Sequence, residues 1–218
     1  MWSSEWGLTA FLVFLVVLVF VVMPAGNLVG AGGSLISVFF SLLLISGVGA
    51  VSERRVPTLL VTGLVIVTLA LRWMTHIVSN PVIAAASALS ALACLGLLAG
   101  VVMIQVFRNG PITWHRIQGA IAVYLLLGVM WAFGYELVLI PFPEAFHPVD
   151  LGLNQTTRIS NLVYFSFVSL TTVGYGGITP VNPMARSLAT LEALVGQLFP
   201  VILIGRLVAM EMQYRQSR

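Results

Sequence analysis

The stretch Thr171–Thr172–Val173–Gly174–Tyr175–Gly176 organises the rest of this sequence. It follows a short aromatic segment, residues 161–170, and it precedes a turn that contains two prolines. A long apolar run begins after that turn. The two glycines permit backbone angles that are closed to other residues, so the stretch is predicted to be an irregular loop. Irregular backbone at membrane depth is tolerated only where protein buries it or where it lines water.

Residues 172–176 have the sequence Thr–Val–Gly–Tyr–Gly, which is the filter loop of potassium channels. Residues 117–210 resemble the pore module of the tetrameric potassium channels. The resemblance implies an outer helix, a re-entrant pore helix, a selectivity filter, an inner helix and four copies around one axis. The predicted fold class is therefore an all-α membrane protein with six transmembrane helices, a pore helix and filter between helices five and six, and a tetrameric pore.

The resemblance also assigns roles to the filter residues. A K⁺ ion that crosses a bilayer can exchange its water shell for backbone carbonyls, which offer dipoles without a full negative charge. Val173 and Tyr175 are expected to point their side chains away from the axis, and the Thr172 hydroxyl is expected to add the innermost ring of ligands. The predicted K⁺ ligands are Thr172, Val173, Gly174 and Tyr175. The whole predicted filter is Thr171, Thr172, Val173, Gly174, Tyr175 and Gly176.

The aromatic segment before the filter is too short to span a membrane and is predicted to be the pore helix. Ser160 or Asn161 is suited to be its N-cap. Its C-terminal end directs the negative end of the helix dipole towards the central cavity, which favours a cation there. The resemblance places Tyr164 and Phe165 in an aromatic cuff around Tyr175.

Two positions depart from the family pattern. The family usually has Asp directly after the second filter glycine, where this chain has Gly177. Some members have Glu in the pore helix, three residues before the first filter threonine, where this chain has Val168. The carboxylate network that braces some filters is therefore not implied. We expect the filter to be less strongly tethered at its outer mouth.

Composition excludes an ordinary soluble domain. The 218 residues are 59% apolar and 8% charged, against a charged share of about 25% in soluble domains. The chain has no lysine, and its net charge of +3 is attributed to loop arginines that set the topology. No basic cluster is interleaved with aromatic residues, so no nucleic-acid partner is predicted. The expected partners are membrane lipid, K⁺ as the permeant ion and further copies of the chain as a homotetramer, with no cofactor.

Apolar segments of about 20 residues are long enough to cross a bilayer, and six segments of about that length are predicted to do so. These spans are 7–23, 34–51, 58–71, 82–107, 117–140 and 186–210. The predicted domains are a four-helix scaffold (1–107), a cytoplasmic linker (108–116), a pore domain (117–212) and a short cytoplasmic tail (213–218). No soluble regulatory domain is expected in this chain.

Arginine placement orients these spans. Most arginines fall on the side that holds the loops after spans two and four and the C-terminus, and the positive-inside rule makes that side cytoplasmic. Both termini are then cytoplasmic, and the filter opens to the outside of the cell membrane. The arginines assigned to the inside are Arg54, Arg55, Arg108, Arg116, Arg206, Arg215 and Arg218. Those assigned to the outside are Arg72, Arg158 and Arg186.

The fourth predicted span has no charged residue. A voltage sensor carries a series of positive charges there, because moving one charge through 100 mV is worth only about 2.3 kcal/mol. Arg72 stands alone at the predicted end of span three, from which it can snorkel to the head groups. We predict that the channel is not steeply voltage-gated, and that spans one to four form a packing scaffold rather than a ligand sensor.

Two carboxylates lie within predicted spans, where a carboxylate is costly and usually faces protein or water. Glu136 is either an interfacial, solvated side chain or a functional one. Glu192 can accept hydrogen bonds behind the filter, pair with an arginine such as Arg186, or carry a proton. The sequence leaves these alternatives open. The residues predicted to support the filter are Tyr164, Phe165, Val168, Gly177 and Glu192.

The inner helix holds Gly196, Pro200 and Gly205. Proline removes a helical hydrogen bond and clashes with the preceding turn, so a bend near Gly196 is expected. The resemblance makes these three residues a hinge and lower gate, and a fixed kink is the alternative.

The function predicted from the sequence is passive, K⁺-selective conduction through a tetrameric pore, without enzymatic activity. One alternative is a weakly selective cation channel of the same fold, and another is a silent subunit of a channel complex. A membrane enzyme or electron-transfer subunit is expected to show paired intramembrane histidines, but the three histidines are dispersed. A secondary transporter is expected to show inverted repeats, and the sequence shows no internal repeat.

Overall fold

The structure is a computed structural model that describes residues 2–26, 32–51, 55–78, 80–107, 113–152 and 155–216. Within these ranges the chain is mostly helical. The α-helices are α1 (Trp2–Val17), α2 (Met23–Gly26), α3 (Gly32–Val51), α4 (Arg55–Ile77), α5 (Pro81–Val106), α6 (Trp114–Leu139), α7 (Gln155–Leu170) and α8 (Pro183–Gln216). A π-helical segment, Leu18–Val22, joins α1 to α2, and strands β1 (Phe146–His147) and β2 (Thr179–Pro180) pair antiparallel.

Four helical stretches are long and apolar enough to cross a membrane, as far as the described residues reach. They are Gly7–Ala25, Pro81–Val106, Trp114–Leu139 and Pro183–Met212. Two shorter apolar stretches, Leu35–Gly49 and Leu59–Thr75, lie in α3 and α4. The structure therefore confirms a mostly helical chain with four candidate spans, and the six-span topology stays a prediction.

Several predicted boundaries differ from those observed. Helix α4 continues past Arg72 to Ile77, and α7 begins at Gln155, six residues before the predicted pore helix. Ser160 and Asn161 lie inside α7, so the N-cap prediction was wrong. Their side chains serve neighbouring segments instead: the Ser160 hydroxyl donates to the Met23 carbonyl (3.0 Å), and the Asn161 amide donates to the Leu151 carbonyl (2.7 Å).

The linker and tail predictions are only partly within the described residues. Part of the linker 108–116, including Arg108, lies outside them, and so do Arg54 and Arg218. Most of the segment predicted as a tail, 213–216, continues α8.

Helix α6 is the central helix, since it contacts α1, α5, α7 and α8. Small residues allow this close packing. A β-carbon at Gly119 would lie 2.9 Å from the side chain of Val106, and one at Gly128 would lie 2.7 Å from the ring of Phe167. The second of these contacts seats α7, which leads into the filter loop, directly on α6.

The first helices also pack against the pore module. Thr9 donates a hydrogen bond to Gln118 in α6 (3.2 Å), and the rings of Phe20 and Phe167 lie 6.0 Å apart. The Met23 carbonyl accepts the Ser160 hydrogen bond described above. The N-terminal segment therefore helps to position both α6 and α7.

A short ladder ties the loop after α6 to the segment after the filter. Phe146 pairs with Pro180 and His147 pairs with Thr179. The amides of Val181 and Asn182 both donate to the Ala145 carbonyl, at 2.9 and 3.2 Å. Backbone hydrogen bonds thus anchor the chain as it leaves the filter.

Candidate ion-conducting site

The filter loop has an alternating backbone. The φ angle is +58° at Thr172, +62° at Gly174 and +76° at Gly176, whereas the residues between them do not have positive φ. In an ordinary strand, successive residues face opposite sides. Because φ changes sign at every second residue of this loop, that alternation is lost and successive carbonyls can face the same side.

Thr172 is a β-branched residue in the left-handed region, which is an outlier for its type. Such strained conformations cost on the order of 1–3 kcal/mol and persist only where the surroundings hold them. Here the Thr172 amide donates to the Ser169 carbonyl (2.9 Å), and the neighbouring Thr171 hydroxyl donates to the Phe167 carbonyl (2.6 Å). The end of α7 therefore holds the start of the loop in this conformation.

The next two amides also bond back to the pore helix. Val173 and Gly174 both donate to the Val168 carbonyl, at 3.0 and 3.3 Å. Val168 thus supports the loop through its backbone. Among the described residues, none of the carbonyls from Thr171 to Gly177 accepts a backbone hydrogen bond. The amides of the first half of the loop thus anchor it, and the loop carbonyls are left for another ligand.

The loop is uncovered in the single chain. Residues 171–177 are all exposed. The exposed fraction is 74% for Tyr175 and 51% for Val173. Tyr164 is 47% exposed and lies near Gly177, where an added β-carbon would be 4.0 Å from the Tyr164 hydroxyl. Position 177 therefore has room for a side chain.

Phe165 does not lie where the cuff prediction placed it. It is buried, and its ring meets the rings of Tyr135 and Phe146 edge-on at 5.0 and 5.2 Å. No ring contact joins Phe165 to Tyr175 within the described part of the chain. Phe165 supports the site from the core, because it packs α7 against α6 and against strand β1.

Glu192 is completely buried behind the pore helix. Tyr135 of α6 donates a hydrogen bond to one carboxyl oxygen. Ser166 of α7 lies 2.5 Å from the other carboxyl oxygen, and its hydroxyl also lies 2.6 Å from the Gly128 carbonyl. Arg186 is exposed and donates to the Pro180 carbonyl (3.1 Å). Glu192 therefore joins α8 to α6 and α7, and its suggested pairing with Arg186 was wrong.

Gly196 is a packing position in the inner helix. A β-carbon there would lie 1.9 Å from the Leu170 carbonyl oxygen, to which the Tyr124 hydroxyl donates from 3.4 Å. The helix continues through Pro200 to Gln216. At Gly205 an added β-carbon would meet nothing within 4 Å. The glycine at 196 is explained by contact with α7, while a hinge role for Pro200 and Gly205 stays a prediction.

Glu136 is 1% exposed, so the interfacial, solvated alternative was wrong. The Gln155 amide donates to its carboxylate (2.8 Å), and an Arg158 nitrogen lies 3.8 Å from the same oxygen. Arg72 is also buried, with its guanidinium carbon 5.0 and 5.6 Å from the ring centroids of Phe40 and Phe133. Snorkelling of Arg72 to the head groups was therefore a wrong prediction. Aromatic faces attract the cation instead.

Sequence reasoning missed Tyr135 and Ser166 as partners of Glu192. The signal available was weak: a tyrosine and a serine in apolar helices, each of which needs a hydrogen-bond partner once it is buried. The described residues contain no cluster of three His, Cys, Asp or Glu side chains that could hold a metal ion. The loop itself offers a cation backbone carbonyl oxygens and the hydroxyl oxygens of its threonines and tyrosine.

Comparison with known proteins finds a family match for part of the chain, less than half of its length. Residues 117–213 match the family model described as "Ion channel". The segment that matches this ion channel model runs from α6 through α7 and the filter loop into α8. Together with the apolar helices, this match points to a membrane-embedded, multi-pass protein.

Two curated relatives are both called Protein LctB. The relative from Geobacillus stearothermophilus is 36% identical over 61 residues, which are 28% of this chain and 45% of the relative. The relative from Bacillus caldotenax is 29% identical over 99 residues, which are 44% of this chain and 66% of the relative. The chain thus spans less than two thirds of either relative, and their names state no activity. No solved structure matches the chain.

Proposed function

We propose that this protein is a potassium-selective channel that conducts K⁺ passively through a ring of backbone carbonyls. The carbonyls of Thr172, Val173, Gly174 and Tyr175 are the proposed ligands, with the Thr172 hydroxyl as the innermost one. The observation that carries this proposal is the alternating φ along a Thr–Val–Gly–Tyr–Gly loop whose first three amides bond to the pore helix and whose carbonyls accept no backbone hydrogen bond among the described residues. Carbonyl dipoles of this kind replace the hydration shell of K⁺.

A homotetramer is the proposed assembly, because one loop supplies one wall. Helix α8 is the least buried of the four apolar stretches, with 11% of its most apolar part buried against 56% for α6. Its exposed surface is largely apolar and suits contact with other copies and with lipid. The members of this surface include Leu191, Leu194, Leu198, Val201, Ile202, Ile204 and Val208.

The proposed setting is the cell membrane, with both termini in the cytoplasm and the filter open to the outside. Helix α5, at the position of a voltage sensor, has no charged residue. We therefore propose conduction without steep voltage dependence. A conductance–voltage relation with several gating charges would contradict that part of the proposal.

A weakly selective cation channel is the second candidate, and one observation favours it. The outer mouth has Gly177, with no side chain to hold the loop. The β1–β2 ladder holds the segment that follows, but it does not reach the filter residues themselves.

Ion flux from liposomes that contain the purified protein tests the proposal. The measurement compares K⁺ with Na⁺ in the wild type, in Gly174→Ala and in Gly100→Ala. Alanine at position 174 would have to adopt a φ angle near +62°, which is unfavourable for a residue with a β-carbon. Gly100 is the matched control, since an added β-carbon there meets nothing within 4 Å and needs no positive φ.

K⁺ flux that exceeds Na⁺ flux, persists in Gly100→Ala and is lost in Gly174→Ala is the expected result. Equal K⁺ and Na⁺ flux would favour the weakly selective channel. Absence of flux from every variant under a range of voltage, pH and lipid would favour a silent subunit.

A further inference from the structure

The carboxyl group of Glu192 lies at the junction of three helices of the segment that matches the ion channel model. It belongs to α8, and its hydrogen-bond partners are Tyr135 of α6 and Ser166 of α7. It has no exposed surface. Among the described residues, no arginine or histidine lies within ion-pair distance of it; the ion pair seen in this region joins Arg158 to Glu136.

Counting hydrogens at Ser166 constrains the state of this carboxyl group. The Ser166 oxygen lies 2.6 Å from the Gly128 carbonyl oxygen and 2.5 Å from a Glu192 oxygen. A serine hydroxyl has one hydrogen to donate, and the Gly128 carbonyl has none. If Ser166 donates to Gly128, the second short oxygen–oxygen contact needs a hydrogen from Glu192.

An ionised Glu192 leaves one of these two contacts without a hydrogen. Two sets of lone pairs would then face each other at hydrogen-bond distance. An ionised Glu192 would also be a buried negative charge with no cation beside it, which costs several kcal/mol. A protonated Glu192 removes both problems, because it donates to Ser166 and accepts from Tyr135.

We infer that Glu192 holds a proton and acts as a hydrogen-bond donor that fixes the pore helix to the inner helix, so that it positions the filter. The hydrogen bonds then run from Tyr135 to Glu192, from Glu192 to Ser166 and from Ser166 to Gly128. This series of hydrogen bonds begins at Tyr135 on α6, passes through α8 and α7, and ends at Gly128 on α6. The assignment of a filter rests on the proposed function above.

The geometry connects this closed set of hydrogen bonds to the loop. Glu192 and Gly196 are four residues apart on α8, and their partners Ser166 and Leu170 are four residues apart on α7. Residues at this spacing share one helix face, so two parallel contacts fix the register of α7 on α8. Between these contacts lie Val168 and Ser169, whose carbonyls hold the loop amides. A shift of α7 would therefore move the anchors of the loop.

Two substitutions separate a neutral donor from an ionised carboxylate. In Glu192→Gln the amide nitrogen can donate to Ser166 and the amide oxygen can accept from Tyr135, without any charge. Glu192→Leu fills a similar volume but leaves Tyr135 and Ser166 without their partner. Elution of each variant as a single species in detergent verifies folding, and Ser166→Ala, which removes the acceptor on α7, provides a second way to break the contact.

Glu192→Gln is expected to keep K⁺ flux and the K⁺/Na⁺ ratio within about twofold of wild type. Glu192→Leu and Ser166→Ala are expected to lower the K⁺/Na⁺ ratio at least about fivefold, as when a buried hydrogen-bonding group loses its partner. If Glu192→Gln is as impaired as Glu192→Leu, the negative charge is required and the inference is overturned. Wild-type selectivity in Glu192→Leu and Ser166→Ala would overturn the positioning role.

Infrared spectroscopy of protein with ¹³C-labelled glutamate tests protonation without any ion flux. At neutral pH the wild type is expected to show a protonated carboxyl band that disappears in Glu192→Gln and persists in Glu144→Gln, an exposed control. Absence of the band, or its loss only in Glu136→Gln, overturns the inference. Since this readout does not depend on conduction, a protein that shows the band but transports no K⁺ would disprove the proposed function alone.

Discussion

The backbone of Gly196 in the inner helix lies directly against the Leu170 carbonyl at the end of the pore helix. A β-carbon at position 196 would be 1.9 Å from that oxygen and 2.7 Å from the carbonyl carbon. Both atoms belong to the backbone, so they cannot move aside as a flexible side chain can. Helix α8 can pack this closely on α7 only because residue 196 has no side chain.

Gly196→Ala is therefore expected to disturb the filter through packing rather than through loss of a hinge. Overpacking of this kind typically costs about 1–3 kcal/mol. We expect a lower unfolding temperature in detergent and a lower K⁺ flux. Gly205→Ala is the matched control in the same helix, because an added β-carbon there meets nothing within 4 Å. Equal unfolding temperatures for the two variants would show that the close contact is not important.

Thr172 combines an unfavourable backbone angle with a hydroxyl that is a proposed K⁺ ligand. Thr172→Gly relieves the strain of φ +58° but removes the hydroxyl. Thr172→Ser keeps the hydroxyl. We expect Thr172→Ser to retain the K⁺/Na⁺ permeability ratio of the wild type and Thr172→Gly to reduce it several-fold, as measured in planar bilayers. A fully selective Thr172→Gly channel would exclude the hydroxyl as a ligand.

Gly177→Asp is expected to strengthen the outer mouth of the filter. A side chain at position 177 points into space near the Tyr164 hydroxyl, which lies 4.0 Å from the ideal β-carbon. The new carboxylate can accept a hydrogen bond from that hydroxyl, and charged acceptors form the stronger hydrogen bonds. Single-channel recording should show longer openings and a higher K⁺/Na⁺ ratio.

The Tyr164→Phe background is the control for that prediction. Without the hydroxyl, Gly177→Asp loses its nearest donor and should have a smaller effect on open time. Unchanged open times and ion preference in Gly177→Asp itself would mean that the outer mouth does not need a tether.

Arg72 and Glu136 should be energetically coupled. Both are buried, and the guanidinium of Arg72 lies over the ring of Phe133, which is three residues from Glu136 on the same helix. Removing either partner alone leaves a buried charge with less compensation, which is strongly destabilising. Arg72→Met and Glu136→Gln should each lower the free energy of unfolding, and the double variant should lose less than the sum. A coupling of about 0.5–3 kcal/mol is typical of residues that interact directly or through shared partners.

Arg186→Gln is the matched control for this cycle, because Arg186 is exposed and its hydrogen bond is to a backbone carbonyl. Additive effects of Arg72→Met and Glu136→Gln, measured by denaturant unfolding in detergent, would show that the two charges are independent. In that case Arg72 would be held by Phe40 and Phe133 alone.

The sequence predicted the helical class and an irregular loop after the short aromatic helix, since both follow from local patterns. Apolar run length identifies candidate spans, and Gly174 and Gly176 adopt positive φ, as a loop of this kind requires. Helix ends were less predictable. The polar residues Ser160 and Asn161 resemble a helix start, but their side chains bond to Met23 and Leu151, which are remote in sequence or in a separate loop.

The environment of the buried charges could not be predicted for a related reason. Arg72 and Glu136 each lie near the end of an apolar segment, where solvation at the interface is the simplest expectation. Their burial depends on how α3, α4 and α6 pack together, which no local pattern encodes. The partners of Glu192 were hidden in the same way, because Tyr135 and Ser166 lie on two other helices.

The reversal potential under bi-ionic conditions tests the central claim most directly. Purified protein in a planar bilayer is recorded with K⁺ on one side and Na⁺ on the other, at equal concentrations. A tenfold permeability ratio corresponds to about 59 mV for a monovalent ion. A carbonyl-lined K⁺ filter predicts a reversal potential displaced by more than about 59 mV in the direction of K⁺ selectivity. A reversal potential near zero would contradict it.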